Sequence, residues 1–287
     1  MPRPSRRAPL RLLLAAVAVA GALLLAGCGG GDGGGEDLTG DLTAQQLLDR
    51  SGEEFAGVES FRIAIEAAGG IDLADAGAVP GGALLAGDLD ISGEGPVQPP
   101  DRASIDARIA LSGPTLQGNL TRVGDEVYVG VLGQDFRVAL PPAQVALLDL
   151  GALYPTLTGW ATEPVEDARE DIDGTPTVKV TSQLDPAEAL ADLGPLLGTG
   201  TVTPEQARAA VSEGTLETWI GTEDLLPRRI HLVLTGDGSA LGPQAGVGAF
   251  DIDLTADLSA YGEPVDIQAP RDAQELDLDQ LGGFAGG

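Results

Sequence analysis

Through most of its length the chain alternates apolar and polar residues with a period of two. That is the spacing of a strand with one buried and one wetted face. Phe61, Ile63, Ile65 and Ala67 alternate with Arg62, Ala64 and Glu66. Leu85, Gly87, Leu89 and Ile91 alternate with Asp88, Asp90 and Ser92, and Ile105, Ala107, Ile109 and Leu111 with Ser104, Asp106, Arg108 and Ala110. Leu116 to Val123 follows a Gly113-Pro114 turn, Val127, Val129 and Val131 follow Gly124-Asp125, and Phe136 to Leu140 completes the series. Strand character resumes at Thr177–Val180 after Asp173-Gly174, then at Leu216–Ile220, Arg228–Thr235 and Phe250–Leu258, with a short extended piece at Val265–Ala269. Helical spacing interrupts these runs. Thr43 reads as an N-cap for a face of Leu47, Leu48, Ser51 and Phe55 ending near Gly57. Further helices are expected from Pro141-Pro142 through Leu150, over Tyr154–Trp160, from Asp185-Pro186 to about Leu193, and from Thr203-Pro204-Glu205 to about Ser212. The fold class is therefore α+β, built on a curved antiparallel β-sheet. So many strands in one sheet curl around something, and the segregated helices are the available filling.

The N-terminus carries a different signal. Arg3, Arg6, Arg7 and Arg11 precede an apolar run, Leu12 to Ala26, of about fifteen residues, shorter than the roughly twenty a membrane span needs. The run ends in Leu25-Ala26-Gly27-Cys28, which looks like a bacterial lipobox: small residues admit the peptidase, and the Cys28 thiolate takes the diacylglycerol. Residues 1–27 are thus expected to be a lipoprotein signal peptide, with Cys28 bearing diacylglycerol and a further acyl chain such as palmitate. Two or more buried chains make a stable anchor, so the protein is placed on the extracytoplasmic face of the cell membrane. Residues 28–42, rich in Gly and Asp, read as a flexible acidic tether, residues 43–276 as one domain, and residues 277–287 as a disordered acidic and Gly-rich tail.

Cys28 is the only cysteine, so no internal disulfide is possible and the fold rests on burial. The full chain has a net charge of −28; loss of the leader, which carries four arginines and no acid, takes it to −32. Such acidity argues against nucleic acid as a partner. It argues equally against a basic face lying on anionic lipid.

With these features in hand, the residues resemble a family. Ile172-Asp173-Gly174 running into Thr177–Thr181, the helix opening at Asp185-Pro186-Ala187, Thr218-Trp219-Ile220-Gly221, Leu226-Pro227-Arg228-Arg229, and Asp253-Leu254 through Tyr261–Val265 follow the order seen in the actinobacterial LppX/LprG/LprF lipoproteins, whose fold is related to the LolA/LolB lipoprotein carriers. The N-terminal half agrees in kind, through its lipobox, tether, helix, first strand at Phe61 and the Gly124–Tyr128 strand. The resemblance implies a half-barrel wrapped on one side of several helices, with an apolar cavity between the layers. It implies a non-enzymatic protein that binds acylated lipid or glycolipid and carries it between membrane and envelope, as a monomer with a membrane transporter as a further partner. No cofactor beyond the acyl chains on Cys28 is implied.

The apolar strand and helix faces are the expected cavity lining: Ile63, Ile65, Leu89, Ile91, Ile105, Ile109, Leu111, Val127, Val129, Leu147, Leu150, Leu190, Leu193, Ile230, Leu232, Leu234, Ile252 and Leu254. A close-packed core demands the same alternation, so the pattern alone leaves open a surface lipoprotein with a filled core that acts as an interaction or sensor module. For an anionic head group, Arg228 and Arg229 are the candidates, with Arg108, Arg122 and Arg137 as further strand arginines. No catalytic constellation is visible. His231, the only histidine, has no evident partner base or co-ligands for a triad or zinc site. Asp171-Ile172-Asp173-Gly174 lacks the spacing of a calcium loop and reads as a hairpin turn, so no metal is expected. The acid pairs Asp88/Asp90 and Asp251/Asp253 read as wetted strand faces, and Trp160 and Trp219 as packing residues.

Overall fold

The computed structural model describes residues 36–73, 87–111, 115–140, 145, 148–197, 202–241 and 247–276. The signal peptide, Cys28, Leu147 and the tail from Asp277 lie outside the described residues, as do the side chains of Leu89, Leu111 and Leu193.

Twelve strands form one open sheet. They are β1 (Phe61–Leu73), β2 (Gly87–Gln98), β3 (Arg102–Leu111), β4 (Thr115–Val123), β5 (Glu126–Val131), β6 (Gln134–Val138), β7 (Ala161–Ile172), β8 (Thr175–Leu184), β9 (Val211–Gly221), β10 (Pro227–Asp237), β11 (Val247–Ser259) and β12 (Gln274–Leu276). Their order is β12-β6-β5-β4-β3-β2-β1-β11-β10-β9-β8-β7, so β1 joins an N-terminal meander to a C-terminal one through β11. Every pairing is antiparallel except β12 with β6. Between β7 and β8, Asp173 and Gly174 both take positive φ (50° and 81°), the geometry of a two-residue hairpin turn and the turn expected from the sequence.

Four helices are described: α1 (Ala44–Ala56), α2 (Leu153–Gly159), α3 (Pro186–Leu197) and α4 (Pro204–Ala210). Thr43 caps α1 and Thr203 caps α4, each through a reciprocal box with a glutamine three residues on. None of the described helices is long and apolar enough to cross a membrane.

The expected elements differ from these in several places. Strand β7 is unforeseen because it is an edge strand with acids on both faces, and so shows no alternation; charge and Pro164 suit an edge. Strand β9 begins at Val211, ending α4 before Ser212, and α3 runs on to Leu197. Residues 265–269 form no ladder; three later residues, Gln274–Leu276, pair with β6 instead. Of the segment from Pro141 to Leu150, residues 148–150 are turn-like, and most of the rest is outside the described residues. The tether also ends sooner than composition suggests. The Leu38 amide donates to the Thr222 carbonyl (2.8 Å), Thr39 is buried, and Arg169 bonds Asp37 (2.7 Å).

The apolar face of the sheet carries one main core. Phe61, Ile63, Val97, Ala103 and Ile105 from β1–β3 join Leu184, Leu216, Ile230, Leu232, Leu234, Ala256 and Leu258 from β8–β11 beneath Phe55, Tyr154, Leu157 and Trp160. A second cluster seats Leu47 and Leu48 of α1 on Val178, Val180 and Ile220. A third holds Leu190 of α3 against Ala207 and Ala210 of α4. The Tyr154 hydroxyl reaches Ser51 of α1 (2.8 Å), and the Trp160 indole donates to Asp192 (2.8 Å), so the polar ends of these large side chains are satisfied.

Candidate functional site

Register places the expected lining residues on one face, in rows that cross the strands. The first row is Phe61–Val97–Ala103–Arg122–Val127–Val138. Along β3–β6 the next is Ile105–Leu120–Val129–Phe136. Then come Ile65–Gly93–Ala107–Gly118–Val131 and Ala67–Ile91–Ile109–Leu116. The face continues through β11 and β10 as Ala256–Ile230, Leu254–Leu232 and Ile252–Leu234.

Coverage divides this face into two parts. Ile63, Ile105, Ile230, Leu232 and Leu234 are buried members of the main core, and Ile65, Leu150, Ile252 and Leu254 pack against it half-buried. Val127 is also buried, and Leu190 belongs to the separate α3–α4 cluster. Toward the other ends of β2–β5 the cover thins: Ile91, Ile109, Leu120, Val129 and Val131 are half-buried, and Leu116 is 44% exposed. An open depression of about 740 Å³ lies on the opposite, polar face of these strands, lined by Glu66, Ser92, Glu94, Asp106, Arg108, Gln117 and Asn119, with Ile65, Gly93, Ala107 and Gly118 between their rows. Of the expected lining only Ile65 borders it, and its walls are about as polar as apolar. It is thus unlike the enclosed apolar cavity that the resemblance implies.

The candidate arginines do not converge. Arg228 pairs with Asp224 and stacks over Tyr261 (5.1 Å), whereas its neighbour Arg229 pairs with Asp257 across the strand (2.5 and 2.9 Å). Successive strand residues face opposite sides, so the two cannot grip one head group. Arg137 is held by Glu126 and Glu275, and Arg108 is exposed. Arg122, like Arg228, lies on the apolar side, out of phase with the polar positions of β4, but unlike Arg228 it has no acid beside it among the described residues.

The opposite face of β8–β11 carries a charged ladder that sequence reading did not assemble. Lys179 bonds Glu217 (2.5 Å) and lies over Trp219 (5.1 Å); the Trp219 indole donates to Glu170. His231 sits 3.0 Å from both Glu217 and Asp253. Burial pushes the Glu217 carboxyl up, but its bonds to Lys179 and His231 outweigh this and hold it below its ordinary value. A depressed carboxyl stabilises the fold above its unfolded value and loses that contribution as pH falls through the folded one. Glu217→Gln is therefore expected to cost about 1–2 kcal/mol in urea denaturation at pH 7, with the gap closing below about pH 4. A gap that did not change with pH would contradict this. Among the described residues no group of three or more His, Cys, Asp or Glu is placed to hold a metal ion.

No protein-family model matches the sequence, and no curated protein matches it. Solved structures do. The chain is similar to the lipoprotein LppX of Mycobacterium tuberculosis, with 16% identity, a TM-score of 0.47, and cover of 78% of this chain and 98% of that one. It is similar to LprF from Mycobacterium bovis, with 17% identity, a TM-score of 0.44, and cover of 79% and 96%. A LolA-superfamily protein of Nitrosomonas europaea matches with 10% identity, a TM-score of 0.27, and cover of 79% and 96%. LppX and LprF carry the names that the sequence resemblance gives, and a LolA-superfamily protein stands beside them.

Proposed function

We propose that this chain is a non-enzymatic, lipid-anchored envelope protein, held through Cys28 at the extracytoplasmic face of a membrane. Its sheet binds the acyl part of a lipid or glycolipid and carries it between membrane and envelope. The observation that carries this reading is the uneven cover of one continuous apolar face. Ile230, Leu232 and Leu234 are closed off by the helices, while Ile91, Ile109 and Leu116, in register on the same face, are left half-buried or exposed. A monomeric soluble domain gains nothing by wetting such a stripe. An acyl chain laid on it gains about 0.8 kcal/mol per buried methylene, so ten methylenes supply about 8 kcal/mol, a micromolar affinity before losses.

The test is native mass spectrometry of the full-length protein, extracted in detergent from a lipid-bearing host and then treated with organic solvent. A non-covalent mass that solvent releases as lipid, beyond the covalent acylation at Cys28, is expected. A mass equal to the acylated polypeptide alone, unchanged after incubation with envelope lipids, would overturn the reading in favour of an interaction module.

A further inference from the structure

Arg122 is a cation placed where the sheet is otherwise apolar. It follows Leu116, Gly118 and Leu120 on one face of β4, its cross-strand neighbours are Ala103 and Val127, and it is only 9% exposed. Its Nε donates to the Gly124 carbonyl (3.1 Å), while Nη1 is closed off from solvent with no acceptor among the described residues. Among the described residues the two other cations with little exposure each have an acid: Lys179 has Glu217 and Arg228 has Asp224. The chain has 44 acids against 16 lysines and arginines, so a partner for Arg122 was the easiest residue to supply. A buried guanidinium without a counter-charge is expensive, and a guanidinium can only donate. The missing group is therefore an anion with acceptor oxygens.

The geometry around it is that of an amphiphile. Six residues of strand separate Leu116 from Arg122, a path of about 20 Å along the sheet. Beside that path, Gly93, Ala107 and Gly118 form a row with almost no side chains, so the surface there is backbone and small groups. We propose that Arg122 receives the anionic head, a carboxylate or phosphate, of a single acyl chain that lies along β4 toward Leu116. This rests on the lipid-binding reading above and deepens it by assigning the charge of the ligand and the residue that meets it.

The experiment compares ligands that differ only in their heads. Full-length protein, stripped of bound lipid in detergent, is titrated with hexadecanol, palmitate, hexadecyl phosphate and inorganic phosphate, as wild type and as Arg122→Met. In the wild type, palmitate or hexadecyl phosphate is expected to bind at least tenfold tighter than hexadecanol, with inorganic phosphate failing to compete. In Arg122→Met that preference should vanish while hexadecanol binds as before. Methionine fills a similar volume without the charge, so the variant is expected to fold at least as stably as the wild type. The wild-type comparison decides the matter even if it does not. Equal binding of the three chains in the wild type would overturn the assignment of Arg122 and leave the lipid-binding reading standing. A preference that survives Arg122→Met would do the same. Inorganic phosphate binding as tightly as hexadecyl phosphate would make the site one for a free anion and overturn the amphiphile. Binding of none of the chains would remove the lipid-binding reading itself.

Discussion

Replacing Phe61 with alanine is expected to lower the stability of the domain by about 3–5 kcal/mol, the range for emptying a fully buried aromatic site. The ring is wholly buried, 5.2 Å from Phe55 of α1 and 6.3 Å from Tyr261 after β11, measured between centroids. Phe55 in turn meets Tyr154 edge-on at 5.4 Å. Four aromatic rings in a chain with few aromatics therefore tie α1, α2, β1 and the end of β11 to one point, and a cavity there cannot be filled by sliding a single element. Set against a total stability of about 5–15 kcal/mol, the loss is a large share. Urea denaturation should show the midpoint falling with little change in slope. Val165→Ala on edge strand β7, where the side chain is 57% exposed, should move the midpoint by no more than about 0.5 kcal/mol. A cost below about 1 kcal/mol at Phe61 would mean that the ring cluster does not hold these elements together.

What could be read in the sequence follows from how each element meets water. Strands with one wet face announce themselves by alternation, which is why β1, β3, β4 and β10 stand near their expected positions. β7 has no dry face to alternate against, and β12 is three residues whose pairing with β6 depends on contacts about 138 positions apart in the chain. The docking of residues 37–42 likewise hangs on Arg169 and Thr222, which no local pattern could connect to a glycine-rich stretch. The lining was legible as a face but not as a surface. Period-two spacing says which side a residue points to, whereas its cover is decided by helices from elsewhere in the chain. Arg122 stands among the strand arginines considered for a head group, but the telling local signal is its phase, which matches Leu116 and Leu120 rather than the polar positions Gln117, Asn119 and Thr121. A charge in an apolar phase is legible from sequence alone.

The division of the apolar face can be put to direct test with one substitution made twice. Ile230 and Ile109 have the same side chain and lie on the same face of the same sheet, but Ile230 is fully buried in the main core while Ile109 is half-buried beyond its edge. Ile230→Asn loses the transfer energy of a buried isoleucine, leaves space around it, and places an amide opposite Thr218, whose single buried hydroxyl cannot meet all of the amide's donors and acceptors. Together these are expected to cost about 4 kcal/mol or more, enough to leave much of the protein unfolded at 37 °C. Ile109→Asn keeps its amide near water and is expected to cost about 1 kcal/mol or less. Its effect should fall on lipid instead, since a polar group in the path of an acyl chain must be desolvated on every binding event. The fraction of lipid-loaded protein seen by native mass spectrometry should then drop several-fold at an unchanged fold. If both variants unfold alike, the whole face is core and the proposed lipid surface is lost. If Ile109→Asn folds and loads as the wild type does, the acyl chain does not pass over β3, and the path along β4 toward Leu116 must be redrawn.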